Sequence, residues 1–391
     1  MRVRGASLVL LALCRASVFL LVVALVVIGA PVRGAGLRAC TWHQVHVPQA
    51  RSGLRDADLL SDGRILAVGE SPLEGPGNAL SMLWDGDTWR RVPMPVEGEV
   101  AGVAALTKGR AIAVGPGWNF GHAMSLTFDG EVWHRRATPT LGSGTVLQAV
   151  TPVSGTDRAW AVGAWDPGPH RGSQPLVMRW DRGGWTIALR KLPRARVLLR
   201  DVVTIDGVTW AVGSARWGSA HERTLALRHV PGHGWHIVPT PHPARFQALS
   251  AIGGTARDNL FAVGTRSIGP DDYRGYMLHW NGRRWRPVDP TRLPALRRTA
   301  TLVDVAAGPD GDLWVLGRRH RAVPPDESPE YRYHLPLVLH RTGPGRWMTE
   351  LLPEVPRAHP EALVAESRER IWAIGAEQFE DGAHPMVFRR C

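Results

Sequence analysis

Apolar positions in this chain fall into short runs that end in nearly the same way. Seven of them read RILAVG (64–69), RAIAVG (110–115), RAWAVG (158–163), VTWAVG (208–213), NLFAVG (259–264), DLWVLG (312–317) and RIWAIG (370–375). The closing glycines are Gly69, Gly115, Gly163, Gly213, Gly264, Gly317 and Gly375. Their spacing widens steadily along the chain around a period of roughly 50 residues, varying by the length of a loop. Before each run lies another apolar segment, such as LRDADLL, VAGVAAL, LRDVVTI or TLVDVAA. After each glycine comes a variable polar loop, then a hairpin pattern such as ALSMLWDGDTWRRVPMP (79–95) or YMLHWNGRRWRPVDP (276–290). In each hairpin Asp, Asn or Gly marks the turn, Trp opens the last strand, and a proline ends it where a missing N–H costs least.

One unit is therefore four antiparallel strands, and seven units predict an all-β, seven-bladed β-propeller. The inner strand is expected to be apolar on both faces because neighbouring blades cover it. The second strand ends in small residues that would let blade backbones approach closely. Trp160, Trp210, Phe261, Trp314 and Trp372 would fill the wedge between blades. Trp89, Trp133, Trp185, Trp235, Trp285 and Trp347, which open the outer strands, are expected core as well.

The seventh unit ends early, at MVFRRC (386–391), without its Trp-led outer strand. That strand is found at the other end of the repeat region, in CTWHQVHVP (40–48). The N-terminal strand, 40–49, is thus expected to complete the last blade and remove an open sheet edge. Cys40 and Cys391 then lie across one hairpin turn and are expected to form a disulfide, which needs an oxidising compartment. Lipidation of Cys40 is the alternative. Cys14 falls in the hydrophobic N-terminal segment.

Residues 1–30 read as a targeting segment: Arg2 and Arg4, then an apolar stretch from Leu8 to Ala30 interrupted by Arg15. Its uninterrupted part, Ala16 to Ala30, has the length of a signal-peptide core. The whole stretch from Leu8 would span a bilayer as a retained anchor, since spanning takes about 20 residues. Both place the body, 40–391 beyond a short linker at 31–39, outside the cytoplasmic membrane, secreted or anchored. Membrane contact is expected only through this segment, and the body is expected to be a monomer.

Composition changes this picture little. The formal charge is +12, and Arg2, Arg4, Arg15, Arg33 and Arg38, all ahead of Cys40 with no acid among them, supply five of it. The remaining +7 is spread along the chain, and with no nucleic-acid motif no nucleic-acid partner is expected. The only lysines, Lys108 and Lys191, against abundant Arg, Ala and Gly point to a GC-rich bacterial source. A glycine closing strand two and a Trp opening strand four resemble Kelch and galactose-oxidase-type propellers across residues 40–391. The resemblance implies architecture only. The copper site of galactose oxidase needs a Cys–Tyr cross-link, and here both body cysteines are terminal while Tyr273, Tyr276, Tyr331 and Tyr333 sit in two loops. No cofactor and no metal site is expected.

The loops after strand two carry the most suggestive side chains. They hold Trp118 with His122, Trp165 with His170, Trp217 with His221, and Tyr273 with Tyr276; His320, His334 and His384 follow in later units. An aromatic and histidine-lined face of this kind would stack on a sugar or grip a peptide. The expected function is a non-catalytic binding or scaffold module whose partner is a cell-envelope protein or glycan. The alternative is a carbohydrate-active hydrolase or lyase. A cluster of acids with a histidine at the channel mouth would favour the enzyme, and a flat aromatic face would favour binding. The basic stretch 283–298 is a further candidate for contact with anionic cell-wall polymer or lipid head groups, and the long insertion 318–334, the largest, for binding.

Overall fold

Seven four-stranded antiparallel sheets follow one another around a ring in the computed structural model of the chain. It describes residues 40–391 apart from 49–50, 72–77, 117–122, 142–143, 169–171, 193–194, 219–220, 245, 270–271, 290–292, 294–295, 297–299, 321–333, 356 and 380–381. The expected targeting segment, Trp118, His122, His170 and most of the insertion 318–334 lie outside the described residues.

The N-terminal strand β1 (Trp42–Gln44) belongs to the last blade. Blade 1 is β2 (Gly53–Leu59), β3 (Ile65–Ser71), β4 (Asn78–Trp84) and β5 (Trp89–Arg91), and blade 2 is β6 (Gly102–Ala105), β7 (Ala111–Gly115), β8 (Met124–Phe128) and β9 (Trp133–Arg135). Blade 3 is β10 (Val146–Pro152), β11 (Ala159–Trp165), β12 (Gln174–Asp181) and β13 (Gly184–Leu189). Blade 4 is β14 (Ala195–Ile205), β15 (Val208–Trp217), β16 (Arg223–Val230) and β17 (Gly234–Ile237). Blade 5 is β18 (Gln247–Ala256), β19 (Asn259–Ser267), β20 (Tyr273–Trp280) and β21 (Trp285–Pro287), and blade 6 is β22 (Ala300–Ala307), β23 (Leu313–His320), β24 (His334–Gly343) and β25 (Arg346–Glu350). Blade 7 joins β26 (Ala358–Ala365), β27 (Ile371–Phe379) and β28 (Gly382–Arg390) to β1, in the order β26-β27-β28-β1.

β1 pairs with β28 as expected, with Trp42 opposite Arg390, His43 opposite Arg389 and Gln44 opposite Phe388. The place that Trp84 holds opposite Trp89 in blade 1 is thus taken by Arg390, two residues beyond Phe388, which the repeat pattern puts there. Cys40 and Cys391 are joined as a disulfide with Cα atoms 5.3 Å apart, across a sequence separation of 351. The closing blade is also clipped to blade 6, because the Trp42 indole N–H donates to Glu350 at 2.9 Å and Arg390 Nε donates to the same carboxylate oxygen at 2.8 Å.

No blade has a core of its own. The buried apolar residues form seven clusters, one per seam between neighbouring blades. The seam between blades 7 and 1, for example, packs Trp372 and Ile374 against Ile65, Met82, Trp84 and Trp89. Trp210, Trp314 and Trp372 are fully buried, and Trp160 and Phe261 nearly so, as wedge fillers should be. Trp89, Trp133, Trp185 and Trp285 are buried too, whereas Trp235 and Trp347 stay half-buried. Indoles also stitch seams: Trp133 donates to Ser81 at 3.0 Å and Trp185 to Ser125 at 2.8 Å, each reaching into the preceding blade.

The recurrent glycine has a different cause from the one expected. Its neighbour is the inner strand of its own blade, not the next blade. A Cβ on Gly69, Gly115, Gly163, Gly213, Gly264, Gly317 or Gly375 would come within 3.0 Å of the carbonyl oxygen of Gly53, Glu99, Val146, Leu198, Ala248, Thr301 or His359 respectively. Opposite these glycines six inner strands carry a β-bulge, whose extra residue is Arg55, Gln148, Arg200, Ser250, Val303 or Glu361. The inner strands are accordingly not apolar on both faces, since the bulges send mostly polar side chains into the ring's centre.

Gly213→Ala is expected to cost about 1–3 kcal/mol through overpacking against the Leu198 carbonyl, measured by urea unfolding against the same change at exposed Gly184, where a Cβ meets open space. Cys391→Ser, or reduction, is expected to remove roughly 2–5 kcal/mol. Denaturation midpoints with and without reductant check this, and equal midpoints would show that the ring closes without the bond.

Candidate functional site

Two cavities open at the end of the ring where each second strand finishes and each inner strand begins. Register puts those ends side by side, as in Gly53 opposite Glu70 and Ala195 opposite Trp217. The turn carrying Arg283 and Arg284 joins β20 to β21 and therefore lies at the opposite end, so this part of the basic stretch contributes to neither cavity.

The first cavity is the central channel, of about 580 Å³. All six bulge residues line it, together with the residue after each bulge. In three blades that next residue is aspartate: Asp56, Asp201 and Asp304. Each carboxylate accepts the following N–H of its own strand and one N–H of the next blade. Asp56 takes Ala57 at 2.9 Å and Val103 at 2.8 Å. Asp201 takes Val202 and Ile252, both at 2.7 Å, and Asp304 takes Val305 and Leu363, both at 2.7 Å. Asp58 repeats the pattern with Leu59 and Ala105, both at 2.8 Å. Burial pushes all four carboxyls up despite these bonds: Asp201 to about 7, Asp304 to about 6, and Asp56 well above its ordinary value.

At the channel mouth Arg55 meets three carboxylates, Glu70 at 2.8 Å, Glu99 at 3.0 Å and Glu361 at 3.5 Å. Burial raises Glu361 and Glu99, with Arg55 pulling the other way. Arg318, also in the channel lining, bonds His359 Nδ1 at 3.1 Å, and burial followed by Arg318 lowers that imidazole. His320, His334 and His359 follow in edge-to-face contact, with ring centroids 4.5 and 5.2 Å apart. An acid and histidine cluster is therefore present. Its acids are engaged: those facing the seams accept backbone N–H groups, and the three glutamates share Arg55.

The second cavity is a cleft of about 970 Å³ between blades 3 and 4, lined by Trp165, Pro167, Gln174, Arg190, Lys191, Leu192, Ala195, Arg196, Arg216, Trp217 and Gly218. Its two tryptophans end the second strands of successive blades, Trp165 closing β11 and Trp217 closing β15. The Trp165 indole N–H donates to the Arg190 carbonyl at 2.8 Å, which fixes the ring and the chain leaving β13. Gln174 Nε2 donates to the Ala195 carbonyl at 2.9 Å, tying the two blades together at the cleft floor. Among the described residues the lining holds four cationic side chains and no acid. Among the described residues none of the four is engaged in an ion pair.

Of the side chains singled out in the sequence, the structure brings Trp165 and Trp217 together. Tyr273 lines the channel instead, edge-on to Phe246 at 6.1 Å. His221 is exposed and lines neither cavity. Tyr276 is 3% exposed and packs in the seam between blades 4 and 5, with burial pushing its phenol to about 12. The strand alternation explains this split, because Tyr273 and Tyr276 differ by an odd number of residues and face opposite sides of β20. The channel aspartates and Arg55 were not singled out, although the tripeptide LRD at 54–56 and 199–201 and LVD at 302–304 carries their signal. The cleft cations carry no comparable signal, since arginine is common throughout the chain.

No family model and no curated protein matches this chain. Solved structures do. YCF48 bound to a D1 peptide is 16% identical over 89% of this chain and 94% of that one, with a TM-score of 0.58. A catalytically inactive virginiamycin B lyase from Staphylococcus aureus, with quinupristin, is 12% identical over 90% of this chain and 99% of that one, also at 0.58. A protein of unknown function from Dyadobacter fermentans is 10% identical over 89% and 98%, at 0.51. At these identities the likeness shows the fold alone.

The raised aspartates make a signed prediction. Asp201 binds its proton more tightly folded than unfolded, so its contribution to stability is full below about pH 3.8 and is lost as pH rises towards about 7. The difference in unfolding free energy between the native chain and Asp201→Asn should fall across that window and level off above it. Urea titrations from pH 4 to 8 check this, and a difference that rose with pH would reverse the assignment.

Proposed function

We propose that this chain is an extracytoplasmic, non-catalytic binding propeller whose ligand, a protein segment or a glycan, seats in the cleft between blades 3 and 4. The observation that carries the reading is the pair Trp165 and Trp217, which end the second strands of adjacent blades and face one cavity. Tryptophan gives large contact area at little cost in side-chain entropy and marks the energetic centre of many interfaces. The apolar N-terminal stretch and the Cys40–Cys391 pair support a location outside the cytoplasmic membrane. The glycine closing strand two and the Trp opening strand four support keeping the Kelch-type resemblance as a description of the blade, with one glycine where Kelch repeats carry two.

A second reading, a hydrolase or lyase at the channel mouth, is favoured by one observation: Glu361, raised by burial, and His359, lowered by burial, share the neighbour Arg318. The binding reading is preferred because each mouth glutamate already pairs with Arg55.

An array of glycans, peptides and cell-wall fractions, probed with the full chain, tests both. Trp165→Ala with Trp217→Ala should weaken a captured ligand by about 2 kcal/mol or more, about thirtyfold in Kd. Unchanged binding with an unchanged melting curve would remove the cleft as the site. Turnover of any captured ligand that is lost in Glu361→Gln would move the function to the channel.

A further inference from the structure

The cleft's chemistry narrows its occupant. Its lining presents donors and cations: the guanidinium groups of Arg190, Arg196 and Arg216 and the Lys191 ammonium. All four are exposed and none has a carboxylate partner among the described residues. This differs from the same face at the channel mouth, where Arg55 is ringed by three glutamates. Four like charges brought around one cavity repel one another, and an occupant that carries negative charge relieves that repulsion. The floor between them is apolar: Trp165, Trp217, Pro167, Leu192 and Ala195. The Arg196 stem is laid along the rim by Gly172, where a Cβ would come within 3.0 Å of that stem.

Neutral sugars fit this lining poorly. Their hydroxyl groups need acceptors as well as donors, and the lining contains no Asp, Glu or Asn, with Gln174 its one side-chain amide. That amide's Nε2 is already committed to the Ala195 carbonyl, and its Oε1 is buried without a donor among the described residues. An occupant rich in acceptors with an apolar centre meets both halves of the cleft. At about 970 Å³ the cavity is at the upper end of small-ligand pockets, roomy enough for a few consecutive residues of chain.

The geometry points to an acidic peptide segment as the occupant: an apolar or aromatic side chain between Trp165 and Trp217, flanked by carboxylates that pair with Arg190, Lys191, Arg196 and Arg216. This rests on the cleft being the binding site. The partner is thus a protein that presents an extended acidic segment, and its association rate should fall as salt rises.

The test uses the full chain and four labelled probes. Three are short peptides of equal length with a central Phe flanked by Asp and Glu, by Asn and Gln, or by Lys; the fourth is an oligogalacturonate. Fluorescence anisotropy gives the affinities at low and high salt. The acidic peptide should bind about two- to fivefold tighter for each carboxylate retained over its amide counterpart, with the margin shrinking at high salt. Arg196→Glu with Arg216→Glu changes exposed side chains only, and a melting curve matching that of the native chain checks that folding is retained. This variant should lose the acidic peptide and gain the Lys peptide. Equal binding of acidic and amide peptides, or an unchanged affinity in the charge-reversed variant, overturns the proposal. Binding of oligogalacturonate alone, lost with Trp165→Ala and Trp217→Ala, overturns the peptide occupant while leaving the cleft as the site. Capture of any probe that survives both the tryptophan and the arginine changes overturns the cleft as well.

Discussion

A carbonyl oxygen aimed at a strand-two glycine recurs in all seven blades, and much of the rest follows from it. The inner strand can press that carbonyl inwards only where the facing residue has no side chain. The six observed bulges sit at this contact, and each throws its extra residue into the channel. The next residue is thereby placed on the seam, where an aspartate reaches the backbone of the following blade, as Asp56, Asp201 and Asp304 do. One steric requirement thus sets the polar lining of the channel and the hydrogen bonds between blades.

Stability is distributed in the same way. With every apolar cluster lying between two blades, no blade can hold its shape alone, and the ring must close for the seam between blades 7 and 1 to form. Closure rests on β1 pairing with β28, on the Cys40–Cys391 bond and on Glu350, which accepts from both Trp42 and Arg390. The cost of this plan is a channel of buried carboxyls held above their ordinary range. They bridge seams at the expense of desolvation, and so contribute most when protonated.

The two cavities differ because their charges are balanced differently. At the channel mouth Arg55 is matched by glutamates, and the aspartates below it are matched by N–H groups, so the network is largely self-satisfied. At the blade 3–4 cleft the charges are unmatched among the described residues, and the tryptophans still present area to the cavity. An unsatisfied, preorganised surface is better suited to a partner than a satisfied one, since binding there need not first break internal pairs.

The repeat, the number of blades, the four-strand unit and the closure by the N-terminal strand were legible in the sequence, because a period of roughly 50 residues with loop-sized variation, Gly and Trp landmarks and turn chemistry can all be read along the chain. The cysteine pairing followed from that closure. The reason for the glycines was not legible, since a Cβ clash with a carbonyl on another strand depends on the bulge. Nor was the fate of single loop residues. Tyr273 and Tyr276 look alike in the chain, but strand alternation sends one into the channel and the other into a seam. Trp165 and Trp217 belong to successive repeats, and the four cations beside them come from three separate segments. Only the packing of blade 3 against blade 4 brings them around one cavity, because a seam has no sequence of its own.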